Sequence, residues 1–194
     1  MDYEFEERCE KIVAAVKEAK EKDPIKMFVR IAHMDFVRMH GPEHHVLDGA
    51  CLLAAYHNAG GEFDLEQGMR YILKQGSVMP GAICGYWAVC GSTASVGAAL
   101  SFIEGTGPLS VKDWGEHLKV SAQALERMGE IGGPRCCKRD AFISLFTAAE
   151  YMNAHYPHKV DLSIPVCGFY PNNRQCLNEN CPFNPKGDKA KLPF

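Results

Sequence analysis

No stretch of this chain holds the roughly 18 consecutive apolar residues that a membrane span requires. No excess of one charge sign is present either. The formal net charge is only −3 over 194 residues, which removes a global electrostatic pull toward nucleic acid or anionic membrane. The start, Met1-Asp2-Tyr3-Glu4-Phe5-Glu6-Glu7, is acidic, where a secretory leader is basic and then apolar. A cytoplasmic location with reduced thiols is therefore expected. No G-x-G-x-x-G, P-loop or H-E-x-x-H motif occurs, so those nucleotide and metalloprotease signatures are excluded. The basic run at Arg135 lacks the interleaved aromatics of a single-strand binder. Strand patterning is confined to short pieces near Val160 and Leu162, and no internal repeat or low-complexity segment is found.

What is present is helical periodicity. Phe5, Cys9, Ile12, Val13 and Val16 line one side of a helix predicted over 5–20. Asp23-Pro24 joins an N-cap to a proline at the first helical position and opens a second, predicted to run to about Met39. A third runs from Pro42 to Asn58, where Gly60-Gly61 stops it. Asp64-Leu65-Glu66-Gln67 reads as a capping box for a fourth, ending near Gly76. Residues 77–90 read as an irregular loop. The stretch 91–104 is a helix of small residues that permits close backbone approach, expected at the centre of the domain. Ser110 is expected to cap a helix over 111–129, and a last long helix follows Pro134 to about His155. The fold class is all-α, a compact bundle of six or seven helices over 1–157. Residues 158–194 carry five prolines and little periodicity. They form an irregular cysteine-bearing extension that something else must order.

The nine cysteines fall into groups. Cys84 and Cys90 flank a Gly/aromatic loop, and Cys90 precedes a helix N-terminus, where the dipole favours thiolate. Cys136 and Cys137 open a helix between Arg135, Lys138 and Arg139, again a setting for thiolate, or for an anion at the helix N-terminus. Asp140 moderates that charge. Cys167, Cys176 and Cys181-Pro182 sit on the extension, where a metal would supply the ordering free energy the segment lacks. A four-coordinate site needs one more ligand, for which Cys136, Cys137, another helix cysteine, His155 and His158 are candidates. The Cys-Pro ending is shared with bacterial ferredoxin ligation, at a different spacing. Cys9 reads as packing.

In His40-Gly41-Pro42-Glu43-His44-His45 the glycine and proline set histidines at a helix start. His44, Asp48 and Cys51 then fall on one face, at i, i+4 and i+7. Such a line suits ligation, proton transfer or thiol activation. His45 is expected on another face.

Taken together, His40 to His45, Pro80-Gly81 through Cys84-Gly85 to Cys90-Gly91, Gly133 to Arg139, and Cys176 to Phe183 resemble domain of unknown function 5714. The resemblance covers roughly residues 30–185 and implies no established activity. That family occurs alone or fused behind SAM-dependent methyltransferases, largely in anaerobic bacteria and archaea. The resemblance therefore implies an anaerobic setting and a methyltransferase or redox partner protein. A looser similarity runs to the redox family named for its C-GCAxxG-C-C pattern, with Cys51, Cys84-Gly85, Gly97 and Cys136 in the corresponding places.

The expected function is binding of a metal or iron–sulfur cluster, or a redox-active thiolate centre. Cys84, Cys90, Cys136 and Cys137 are its reactive thiols and His44 its acid/base. Cys167, Cys176 and Cys181, with Cys136 and Cys137, are the metal ligands, for an iron–sulfur cluster or zinc. A small thiol or metal(loid) ligand is the expected small partner; nucleic acid and membrane are not expected. The alternative is a zinc-stabilised, non-catalytic accessory module. A hydrolase or transferase working through His44, Asp48 and Cys51 ranks third, because no oxyanion or phosphate motif accompanies them.

Overall fold

The computed structural model describes residues 3–194. Met1 and Asp2, part of the acidic start read above, lie outside them. Eight α-helices occur in the described residues: α1 (Phe5–Lys17), α2 (Pro24–Ala32), α3 (His44–Asn58), α4 (Leu65–Val78), α5 (Ile83–Tyr86), α6 (Gly91–Glu104), α7 (Trp114–Ile131) and α8 (Cys137–His155). No strand occurs among them. The bundle is the all-α architecture expected, with one single-turn helix, α5, added inside the loop over 77–90.

The most enclosed helices are α3 and α8. Every α3 residue from His44 to Tyr56 is buried, as is every α8 residue from Lys138 to Ala149. A helix apolar or small on all sides must be covered on all sides. Accordingly α3 packs on α6, α4, α1, α2 and α8. The small-residue helix α6 shares the centre with them, touching α3, α8, α7 and α4. Its contact with α3 is backbone-close at Gly49: the Gly49 N–H donates to Ser95 Oγ at 2.8 Å. A Cβ on Gly49 would stand 2.6 Å from the Ser95 carbonyl oxygen.

Two helix boundaries differ most from expectation, and the loop before α6 takes a course of its own. Helix α2 stops at Ala32, because turns at Met34 and Val37 replace the helical ladder. The freed segment 33–43 then carries Arg38 and His40 to the head of α3. Helix α7 starts at Trp114, since Ser110 instead accepts from the Gly107 N–H, at 2.9 Å. The loop before α6 contains Ala82 (φ 64°) and Ala88 (φ 55°) in the left-handed region, which lets it double back and carry Cys84 toward α3.

The extension is ordered through its aromatics. Phe169 stacks on His33 at 4.1 Å between centroids. Phe183 is fully buried edge-on against Phe142 at 5.5 Å, and Phe194 stacks on Phe146 at 3.7 Å. The Cys167 N–H donates to the Phe183 carbonyl at 2.8 Å. Apolar burial of this kind, about 1.5–3 kcal/mol per large side chain, supplies ordering free energy that the sequence alone did not reveal.

Candidate ligand cavity and thiol cluster

A cavity of about 240 Å³ opens where α3, α6 and α8 begin. It is many times the ~30 Å³ share of one water. Helix α3 brings His44, His45 and Asp48; the α5 segment brings Ile83 and Cys84; Cys90 and Ser92 come from the head of α6; Arg135, Cys137 and Asp140 come from the head of α8; Arg38 and His40 form the rim. The N-caps of α6 and α8 are Cys90 and Cys136, and neither makes a side-chain cap hydrogen bond. Gly91 is required here, because a Cβ would run into the His45 ring.

The floor is polar and incompletely paired. His44, Asp48 and Ser92 are buried, and His44 Nδ1, both Asp48 carboxyl oxygens and Ser92 Oγ have no close hydrogen-bond partner, although Ser92 stands near enough to Asp48 to favour its carboxylate. Lys138, also buried, donates through Nζ to the Arg38 carbonyl at 2.9 Å and approaches His44 Nε2 at 3.0 Å. His44 Nε2 also stands 3.1 Å from that same Arg38 carbonyl, so it is placed either to accept from the Lys138 ammonium or, carrying the ring proton, to donate to the carbonyl. His44 Nδ1 is 3.9 Å from Asp48 Oδ1. Burial first, then the Lys138 charge, holds the His44 pKa well below its usual value. Burial pushes the Asp48 carboxyl up to about 8, against weaker pulls from Ser92 and Lys138. Burial likewise brings Lys138 down to about 8, opposed by nearby thiols and carboxylates. At the rim, Arg38 Nη2 and the fully buried Glu43 Oε2 pair at 2.6 Å.

The expected thiolate character is reversed inside the protein. Burial drives Cys90 well above its ordinary pKa, outweighing the Ser92 and Thr93 N–H groups at the α6 N-terminus. Cys137 rises to about 11, burial outweighing the Gly41 N–H and Arg135. Cys136 also rises through burial. Helix termini and cations act on these sulfurs as expected, but desolvation is larger. Cys51 is fully buried, with a pKa far above the usual one. It lies off the cavity lining, so the His44/Asp48/Cys51 line ends at Asp48. His45, expected on another face, joins the lining, and its Nδ1 is unpartnered. Cys9 is packed in the core.

The adjacent cysteines part company. Cys137 lines the cavity, whereas Cys136 meets the extension, accepting from Asn173 Nδ2 at 3.5 Å. The same Asn173 bonds His40 Nε2 through Oδ1 at 3.0 Å. Around Cys136 the extension sulfurs share a pattern. Backbone N–H groups two and three residues ahead favour the thiolates of Cys136 (Lys138, Arg139), Cys167 (Phe169, Tyr170) and Cys181 (Phe183, Asn184). The Asn178 N–H donates to Cys176 Sγ at 3.2 Å. Cys167 lies within electrostatic reach of Cys136 and Cys181, and Cys181 within reach of Cys176. Among the described residues, no three His, Cys, Asp or Glu side chains are gathered closely enough to hold one metal ion. His155 is engaged elsewhere, stacked on Tyr151, and His158 packs beside Tyr56.

Three participants escaped sequence reasoning. Arg38 sat in a segment read as helix, and Ser92 was counted only as a small residue. Asn173 carries no motif at all. Lys138 was noticed as a cation but not as a buried one, which no local pattern reveals.

A family model described as "Family of unknown function (DUF5714)" matches residues 12–184. No curated protein and no solved structure matches the chain. No helix among the described residues is long and apolar enough to cross a membrane.

Proposed function

The chain belongs to the DUF5714 family of unknown function, and we propose that it binds an iron–sulfur cluster through Cys136, Cys167, Cys176 and Cys181, beside the small polar cavity. The observation that carries this reading is the backbone around these sulfurs: the Asn178 N–H donates to Cys176 Sγ at 3.2 Å, and nearby backbone N–H groups favour the thiolates of Cys136, Cys167 and Cys181. Such N–H···S contacts stabilise ligating thiolates and tune cluster potentials. Cysteine thiols release their protons on binding a Lewis-acidic centre, so loading is favoured as pH rises. A redox partner protein is the natural counterpart of such a centre. Cys84, Cys90, Cys137 and His44 belong to the cavity, where thiol chemistry on a small ligand remains their proposed role.

The test is anaerobic purification, followed by iron and acid-labile sulfide analysis and visible absorption. Iron and sulfide that fall in Cys167→Ser and Cys181→Ser, and persist in Cys84→Ser, are expected. Colourless, iron-free protein would overturn the reading. One zinc per chain in its place would point to the zinc-stabilised accessory module.

A further inference from the structure

The cavity raises a separate question, namely what fills it. Its floor holds four unpartnered polar atoms on three side chains that are at least nine-tenths buried: His44, Asp48 and Ser92. Leaving such a group unpaired costs roughly 1–3 kcal/mol, so a bound partner is the economical resolution. His44 presents its unpartnered Nδ1. Ser92 presents a hydroxyl. The positive ends of α6 and α8 begin at the cavity without side-chain caps. Of the charges around it, Arg38 pairs with Glu43 and Arg139 with Asp140. Arg135 is exposed at the mouth, lines the cavity, and has no carboxylate within ion-pairing distance among the described residues. Lys138, just beneath, has none either.

We infer that this cavity is a binding site for a small oxyanion, gripped by Arg135 at the mouth and by His44 Nδ1, Ser92 Oγ–H and the Asp48 carboxyl on the floor. A carboxylate or oxyacid supplies the acceptors these donors lack, and helix N-termini favour its charge. Asp48 joins as a donor because burial keeps it protonated at neutral pH. The groups facing it are His44 and Cys51 from α3, Ser92 and Cys90 from α6, and Cys137, Lys138 and Asp140 from α8. Cys84, Cys90 and Cys137 then surround the bound anion with sulfur. The inference goes beyond the cluster reading and does not depend on it.

Calorimetric titration with phosphate, sulfate and acetate, against sodium chloride at matched ionic strength, tests it. At pH 7 at least one of the three binds one to one in the wild type. Arg135→Gln weakens that binding on the order of tenfold or more, and Ser92→Ala on the order of fivefold. Both changes replace a side chain that makes no hydrogen bond essential to the fold, and circular dichroism checks that the helices persist. Asp48→Asn, whose amide still donates, retains binding and weakens less above about pH 8 than the wild type, in which Asp48 ionises as Lys138 loses its charge. No binding of any of the three anions, or affinities unchanged in both Arg135→Gln and Ser92→Ala, overturns the inference. Preferential binding of guanidinium or Mg²⁺ does so as well. Repeating the titration on Cys167→Ser separates the two proposals, since loss of iron there leaves anion binding intact.

Discussion

Asp48 makes the buried floor measurable. Its carboxyl is fully enclosed and pushed up to about 8 from an ordinary 3.8. In the unfolded chain it ionises near the ordinary value, so between those two pH values the folded state holds a proton that the unfolded state has lost. Stability therefore falls as pH rises through this window, by up to about 1.4 kcal/mol per unit. Below it both states are protonated, and above it both are ionised. At pH 7 the cost reaches about 4 kcal/mol as an upper figure. Replacing Asp48 by Asn keeps the shape and removes the ionisation. The difference between Asp48→Asn and wild type reports this group together with its influence on Lys138, whose pKa the Asp48 charge helps to raise. Urea unfolding of both proteins at intervals from pH 4 to pH 8.5 is the assay. The variant is expected to match the wild type near pH 4 and to exceed it by several kcal/mol near neutrality. A difference that does not change with pH would refute the reasoning, as would a variant less stable than wild type at pH 7. Either result would mean that Asp48 is ionised in the fold, with a partner that holds it so.

Other outcomes follow from packing and charge. Phe183→Ala removes a fully buried ring that meets Phe142 and should cost about 3–5 kcal/mol, with protease cleavage appearing first in the extension. Gly49→Ala forces a methyl against the Ser95 carbonyl and should destabilise by about 1–3 kcal/mol. Gly97→Ala, whose Cβ would meet only Ser121 Oγ at 3.6 Å, should stabilise by up to about 1 kcal/mol through helix propensity; parallel thermal melts check the pair. In iodoacetamide labelling at pH 7.5, Cys9, Cys51 and Cys90 should stay unmodified in the folded protein, because each is buried and protonated. Mass spectrometry should find them labelled only after denaturation.

The helices were legible because their signals are local. Asp23 accepts from the Ile25 and Lys26 N–H groups, and Asp64 from the Gln67 N–H, as their sequence positions indicate. Gly105, at φ 64°, ends α6 where the break was expected. The small residues of α6 correctly announced a close approach, although its counterpart Gly49 was not singled out. The failures are non-local. Segment 33–43 has enough Met, Phe and Val to pass for a helix, yet its backbone is drawn into turns that deliver Arg38 to Glu43. The extension's order rests on Phe142, Phe146 and His33, which lie far away in the chain. For the thiols, the sequence exposed the favourable influences, helix ends and cations, but not the burial that outweighs them. Residue type located Cys137 and His44 as participants in the cavity. It gave no means of telling that Cys136, one position earlier, faces a different set of neighbours.

That divergence at Cys136 and Cys137 restricts how the chain can vary in length. Both sulfurs leave the same turn, and Asn173 and His40 register that turn from either side. One residue inserted between Gly132 and Cys136 would rotate the head of α8 and misdirect both side chains together. The turn at 105–113 has no such double duty, and Leu109 and Val111 there lie almost wholly in solvent. Insertions should therefore be tolerated before α7 and rejected before α8, although both positions are loops between the same kinds of helix.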